Sequence, residues 1–177
     1  MSFYEDYNMI SGEYSRIGLG NYKDLFGDKD FTKALRNTSI YVVFVVPCSI
    51  ALSLLIAVLL NSNIKFRGLF QTIFFLPYVT SVIAIGLVWS WIFNSNYGLL
   101  NYVLSWFGIA KVQWLNKPKY ALPSLIIFSV WKSMAFDILI FLAGLQTIPK
   151  DLYNAARVDS TPRWRVFWKI TVLSLIH

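Results

Sequence analysis

The chain has 177 residues, of which 56% are hydrophobic and only 14% are charged. Soluble domains carry about 25% charged residues, so this composition indicates a membrane protein. The formal net charge of +7 does not indicate a nucleic-acid-binding protein, because the basic residues are scattered and no reader motif occurs. Cytoplasmic loops of membrane proteins are themselves basic, which is the simpler explanation. A single cysteine, Cys48, excludes a disulfide within the chain.

The first 37 residues are polar and contain no signal-peptide pattern, and residues 1–37 are predicted to lie on the extracellular or periplasmic side. Three apolar stretches follow within a predicted transmembrane region, residues 38–176. Each is long enough to cross a hydrocarbon core of ~30 Å, since a helix of about 23 residues rises ~35 Å. The predicted spans cover residues 38–60, 69–93 and 120–148, and a fourth begins at 172–176.

Two prolines lie inside the first two predicted spans. Pro47 and Pro77 each predict a kink, because neighbouring helices in lipid can satisfy the carbonyl that proline leaves free. Trp89 and Trp91 lie near the end of the second span, where aromatic belts occur. The connection over residues 94–119 is predicted to be a loop, since it contains two glycines, a proline and several residues typical of membrane interfaces.

The third predicted span contains two charged residues, Lys132 and Asp137. They are five residues apart, so on a helix they point about 140° away from each other and are not predicted to pair. A charge at the centre of a span costs ~3 kcal/mol on insertion scales, so neither is expected to face lipid alone. Two interpretations stay open: each faces a wet interior or another helix, or one of them lines the path of a solute.

Residues 149–171 form a basic segment between two apolar stretches, and they predict two short helices with a break between them. Pro149 suits the first position of the first helix. Thr161 is predicted to be the N-cap of the second helix, with Pro162 at its first position. One interpretation is a basic loop that lies on the membrane surface, where its arginines and lysines reach the headgroups.

The first of these helices has a narrow face of small residues. Leu152, Ala155 and Ala156 fall at helical spacing there, which leaves room for the close approach of another surface. The segment resembles the cytoplasmic EAA loop of ABC-importer permeases, above all of carbohydrate-uptake permeases similar to the larger membrane subunit of the maltose transporter. The residues that match the family pattern are Leu152, Tyr153, Ala155, Ala156, Asp159, Trp164, Phe167, Ile170 and Thr171.

Other stretches resemble the same family in the same order along the chain. They are residues 20–26, 74–77, 98–101, 114–115 and 142–146. The sequence departs from the pattern in three places. Asn154 stands where the family usually has Glu, Ser160 and Thr161 stand where it has Gly-Ala, and Leu173 stands where it has Pro. Glycine would permit a left-handed turn at less cost than serine does.

The resemblance implies an all-α, polytopic helix bundle in the cell membrane, with three complete transmembrane helices, a cytoplasmic two-helix coupling loop and the start of a fourth span. In that family the loop docks into a groove on a separate ATPase subunit. The residues to which the resemblance assigns this docking are Leu152, Tyr153, Asn154, Ala155, Ala156, Asp159, Ser160, Trp164 and Phe167.

The resemblance also implies partners for the chain. These are a second permease subunit, two copies of an ATP-binding subunit and an extracellular solute-binding protein, besides membrane lipid; no nucleic acid is expected. ATP and Mg would be bound by the partner, because this chain has no phosphate-binding P-loop and no cofactor is expected in it. Lys and Arg are about twice as dense in residues 61–68 and 149–169 as in 1–37 and 94–119, which predicts a cytoplasmic coupling loop.

The function that these observations predict is import of a sugar or a similar polar solute by alternating access, in which ATP hydrolysis by a separate subunit drives transport. No enzymatic activity is predicted, since the chain lacks catalytic clusters and its only histidine is His177. Two alternatives stay open. Both ends look truncated relative to the family, which is typical of an inactive or partial gene product, and an unrelated polytopic membrane protein is the other.

Overall fold

The computed structural model describes residues 4–5, 16–62 and 64–176, and this part of the chain is almost entirely helical, which confirms the all-α prediction. Two short strands, β1 (Tyr4–Glu5) and β2 (Arg16–Ile17), pair in antiparallel fashion. The helices are α1 (Gly20–Gly27), α2 (Lys29–Asn61), α3 (Arg67–Val79), α4 (Val82–Ile92), α5 (Leu99–Trp106), α6 (Pro118–Thr147), α7 (Lys150–Val158), α8 (Arg163–Val166) and α9 (Leu173–Ile176). A π-helical stretch, Phe167–Val172, joins α8 to α9.

The chain divides into two compact units, residues 1–43 and 44–177. In the first unit, the N–H of Asp30 donates to a carboxylate oxygen of Asp28, 2.8 Å away, and this bond satisfies a free donor at the start of α2. Phe26 and Phe31 contact each other edge to face, with ring centroids 5.7 Å apart. These contacts hold the end of α1 beside the start of α2.

Two helices in the described part of the chain, α2 and α6, are each long and apolar enough to cross a membrane. The first predicted span lies inside α2, which begins nine residues earlier at Lys29, and the third corresponds to α6. The stretch predicted as one span over 69–93 instead forms α3 and α4, which are bent by 102° and count as a third span only if taken together.

The bend between α3 and α4 does not lie at Pro77, as the sequence predicts, but three residues later. Pro77 is buried inside α3. Thr80 and Ser81 have extended ψ values of 145° and 130°, and these end α3 and start α4. The Thr80 hydroxyl donates to the carbonyl of Leu76 at 2.7 Å, so it takes up one of the acceptors at the helix end.

An apolar core joins α2 to α6 within the second unit. Its buried members are Ala57, Leu60, Ile138, Leu142, Leu145 and Ile148. Ring stacking adds a contact between α3 and α6, where the centroids of Tyr78 and Phe136 lie 5.2 Å apart. Three side chains from beyond α6 also pack against this core, namely Tyr153, Ile170 and Leu175. The segment that follows α6 is therefore attached to the core of the long helices.

The predicted loop over 94–119 contains a helix, α5, and a buried polar side chain at its centre. Asn101 is 4% exposed. Its amide nitrogen donates to the carbonyls of Ser95 and Val112 at 3.1 and 2.9 Å. Its amide oxygen accepts from the N–H of Val112 and the indole N–H of Trp114, at 3.1 and 3.0 Å. One side chain thus holds the two ends of this connection together.

Candidate docking loop

The loop after α6 begins with α7 and continues through a turn into α8. Pro149 is the N-cap of α7 rather than its first residue, because its ψ of 131° leaves it outside the helix. The sequence predicts Thr161 as the N-cap of the second helix, but Pro162 occupies that position with a ψ of 144°. Neither proline can supply a capping side chain, so both helices start without a side-chain cap.

The turn that ends α7 is left-handed at Ser160, whose φ is +51°. The N–H of Ser160 donates to the carbonyl of Arg157 at 3.1 Å, and the N–H of Thr161 donates to the carbonyl of Ala156 at 2.9 Å. This pair of bonds is the Schellman arrangement, in which glycine is the favoured residue at the left-handed position. The family pattern has glycine at this position, and the backbone of Ser160 accounts for it.

We expect Ser160→Gly to stabilise the loop by about 1 kcal/mol, because a non-glycine residue in this conformation costs roughly 1–2 kcal/mol. The measurement is the thermal unfolding midpoint of the purified protein in detergent. Ser160→Ala is the matched control, since it removes the hydroxyl but keeps the strained backbone, and it should not raise the midpoint. A midpoint for Ser160→Gly at or below that of Ser160→Ala would show that the left-handed turn is not a source of strain.

The small face predicted on α7 is divided between solvent and the interior. Ala155 is exposed, whereas Ala156 is 7% exposed and packs inside the chain itself. Leu152 and Val158, at three residues on either side of Ala155, are 45% and 84% exposed. We call Leu152, Ala155 and Val158 the apolar stripe of α7. Their spacing places them along one exposed side of the helix.

The other predicted docking residues divide in the same way. Tyr153 and Phe167 are half-buried, as expected for side chains that point toward the rest of the chain. The exposed ones are Asn154, Asp159, Ser160 and Trp164. The structure therefore brings part of the predicted set to one surface and turns the rest inward.

The inner side of α7 is attached to the π-helical stretch by a hydrogen bond. The hydroxyls of Tyr153 and Thr171 lie 3.2 Å apart, and Thr171 is buried. Further along, α9 approaches α6 where Gly144 has no side chain, because a Cβ there would come within 2.7 Å of Leu175. These contacts join both halves of the loop to the end of α6.

Lys132 and Asp137 are both half-buried in α6. Asp137 forms a side-chain hydrogen bond with Ser49 of α2, so the structure directs it toward a neighbouring helix rather than toward Lys132. Sequence reasoning missed Ser49. The signal that was present is the four-residue spacing of Ser49, Ser53 and Ala57, which are all buried on one side of α2.

An apolar cavity of about 530 Å³, which no sequence pattern indicates, lies at the bend between α3 and α4. Pro77, Thr80 and Trp89 line one side of it, and Trp131 and Ile138 of α6 line the other. The rings of Trp89 and Trp131 contact each other, with centroids 5.3 Å apart. Trp89 therefore packs among helices, in contrast to the interfacial position that its place in the sequence favours.

Comparison with known proteins identifies the class to which this fold and loop belong. Residues 49–175 match the family described as binding-protein-dependent transport system inner membrane component. Because the match covers well over half of the chain, the protein belongs to that family. This is a family of membrane transport components rather than of enzymes, and it confirms the resemblance to ABC-importer permeases.

Two curated relatives and one solved structure illustrate the match. The chain is 37% identical over 166 residues to an arabinooligosaccharides transport system permease protein of Halalkalibacterium halodurans, covering 93% of this chain and 52% of that protein. It is 33% identical over 175 residues to a xylose/arabinose import permease protein of Haloferax volcanii, covering 99% and 55%.

The solved structure is a bacterial alginate ABC transporter in complex with an alginate pentasaccharide-bound periplasmic protein. The similarity to one of its chains has a TM-score of 0.78 at 27% identity, and it covers 90% of this chain and 56% of that chain. The present chain thus spans about half the length of the relatives that it matches.

Proposed function

We propose that the chain forms part of the permease subunit of an ATP-driven importer for a sugar or oligosaccharide. The names of the relatives support this solute class, since they refer to arabinooligosaccharides, to xylose and arabinose, and to alginate. The observation that carries the proposal is the loop after α6. Its outer side is an exposed apolar stripe, and its inner side is attached to the core of the long helices.

In this proposal the apolar stripe of α7 docks on a separate ATP-binding subunit, which binds the ATP and Mg. Movement of that subunit passes through Tyr153 to Thr171 and to the core, which contains Ile138 and Ala57 of α6 and α2. The helices then tilt and open the solute path to one side of the membrane or the other. The hydrogen bond from Tyr153 and the packing of Ile170 and Leu175 support a rigid connection.

The remaining partners follow from the same proposal. The assembly contains a second permease subunit, two ATP-binding subunits and a solute-binding protein on the extracellular side. The similar alginate transporter, which was solved in complex with a pentasaccharide-bound periplasmic protein, supports the last of these. The loop after α6 lies in the cytoplasm, and its five basic residues support that orientation.

We place Lys132 and Asp137 among the groups that contact the solute or a neighbouring helix. Both are half-buried in a helix that is long enough to cross the membrane. Ammonium and carboxylate groups form charge-assisted hydrogen bonds with hydroxyl groups, which sugars carry in large numbers. Asp137 already has a partner in Ser49, so Lys132 is the better candidate for direct contact with solute.

The test is uptake of labelled pentoses, arabinooligosaccharides and alginate oligosaccharides by cells that express the whole assembly. We expect uptake of at least one carbohydrate, and a loss of roughly tenfold or more for Lys132→Leu, because a hydrogen bond to a charged group contributes about 1.5–3 kcal/mol. Lys119→Leu, at the start of the same helix, is the matched control and should transport normally.

Two results would contradict the proposal in distinguishable ways. If a correctly assembled transporter took up no carbohydrate from this panel, the proposed solute class would be wrong. If Lys132→Leu transported as well as Lys119→Leu, Lys132 would have no part in the solute path. Permease abundance in the membrane fraction shows in each case that the variant has inserted.

A further inference from the structure

A second surface of the loop has a chemistry that docking does not explain. A groove of about 570 Å³ lies between α7 and α8. Arg157 and Arg163 line it, together with the hydroxyl-bearing residues Ser160 and Thr161, and no carboxylate from the described part of the chain does so. Two guanidinium groups without an acidic neighbour in the same groove create a positive site that favours an anion.

This groove does not share a side of α7 with the apolar stripe. Arg157 follows Ala155 by two residues, so the two side chains point about 160° apart on a helix with 100° per residue. A subunit that covers the apolar stripe therefore leaves the groove accessible. The ligand of the groove has to approach from the other side of α7.

Exposed tryptophans next to the groove indicate what lies on that side. Trp164 and Trp168 are 65% and 59% exposed, and they are four residues apart in the segment that follows Arg163. Arg165 and Lys169 alternate with them. Tryptophan together with basic residues is typical of segments at the level of lipid headgroups, where the indole lies at the boundary and the cations face phosphates.

We propose that Arg157 and Arg163 bind the phosphate of an anionic phospholipid headgroup. Guanidinium groups form paired, charge-assisted hydrogen bonds with phosphate oxygens, and the hydroxyls of Ser160 and Thr161 can donate to the oxygens that remain. The bound lipid holds the turn between α7 and α8 against the membrane surface while the apolar stripe faces away from it. This site does not depend on which solute the assembly transports.

The test is lipid binding to the intact permease assembly in detergent, measured by native mass spectrometry during titration with phosphatidylglycerol. Phosphatidylcholine and inorganic phosphate are titrated in parallel. We expect bound phosphatidylglycerol on the wild type and an affinity at least tenfold lower for the double variant Arg157→Gln, Arg163→Gln. Arg165→Gln, which removes one positive charge outside the groove, should bind the lipid nearly as well as the wild type.

Three results would overturn the proposal. If Arg165→Gln lost as much lipid as the double variant, the effect would come from overall charge. If inorganic phosphate competed with the lipid at equal concentration, the groove would be a site for free phosphate. If the double variant kept its lipid but lost the ATP-binding subunit, the groove would belong to the contact between subunits. Normal co-purification of that subunit shows that the double variant has folded.

Discussion

Replacing Asn101 with leucine is expected to disrupt the connection between α4 and α6 and to destabilise the protein by roughly 3–5 kcal/mol. Four partly buried backbone or indole groups, on residues 95, 112 and 114, depend on this one amide. Each buried polar group that loses its partner costs about 1–3 kcal/mol, and leucine offers none of them a replacement. Water that enters the loop offsets part of this cost.

The measurement is the thermal unfolding midpoint in detergent, together with the rate at which a protease cleaves the region of α5. A loss of this size corresponds to a decrease of about 10 °C in a chain of this length. Asn96→Leu is the matched control, because Asn96 lies in the same connection but its side chain is exposed. Equal midpoints for Asn101→Leu and Asn96→Leu would show that the buried amide does not organise the connection.

The long spans could be predicted because length and lack of charge are sufficient to define them. The third predicted span and α6 differ by two residues at the start and one at the end. The break between α3 and α4 could not be predicted in the same way. Its flanks are apolar on both sides, and the extended conformation of Thr80 and Ser81 leaves no mark on hydrophobicity.

The candidate site could be predicted at the level of the segment but not at the level of its faces. Helical spacing groups Ala155 with Ala156, yet only Ala156 is buried. What separates them is the contact between Tyr153 and Thr171, which are 18 residues apart in the chain. A contact of that kind depends on the path of the chain through α8, and the local pattern of small residues contains no information about it.

Ala155→Glu is expected to weaken docking of the ATP-binding subunit about 100-fold. Glutamate would add volume and an unpaired charge to the apolar stripe, and overpacking alone typically costs 1–3 kcal/mol. The unpaired charge in a desolvated contact costs more. A total loss of ~3 kcal/mol corresponds to roughly 100-fold in affinity. Ala156→Glu is not a suitable variant, because Ala156 is buried in the chain and its replacement would disturb the loop itself.

Asn154→Glu is the matched control, since it places the same side chain one residue earlier, at an exposed position outside the apolar stripe. It also restores the residue that the family usually has at this position. Both variants should reach the membrane in normal amounts, because neither changes an apolar span.

The decisive measurement is co-purification of the ATP-binding subunit with the tagged permease, for the wild type and both variants expressed with all partners. We expect the subunit to be lost from Ala155→Glu and retained by Asn154→Glu. Solute uptake should follow the same order. Normal co-purification of the subunit with Ala155→Glu would contradict the proposed mechanism, because the apolar stripe of α7 would then not be the surface through which ATP hydrolysis drives transport.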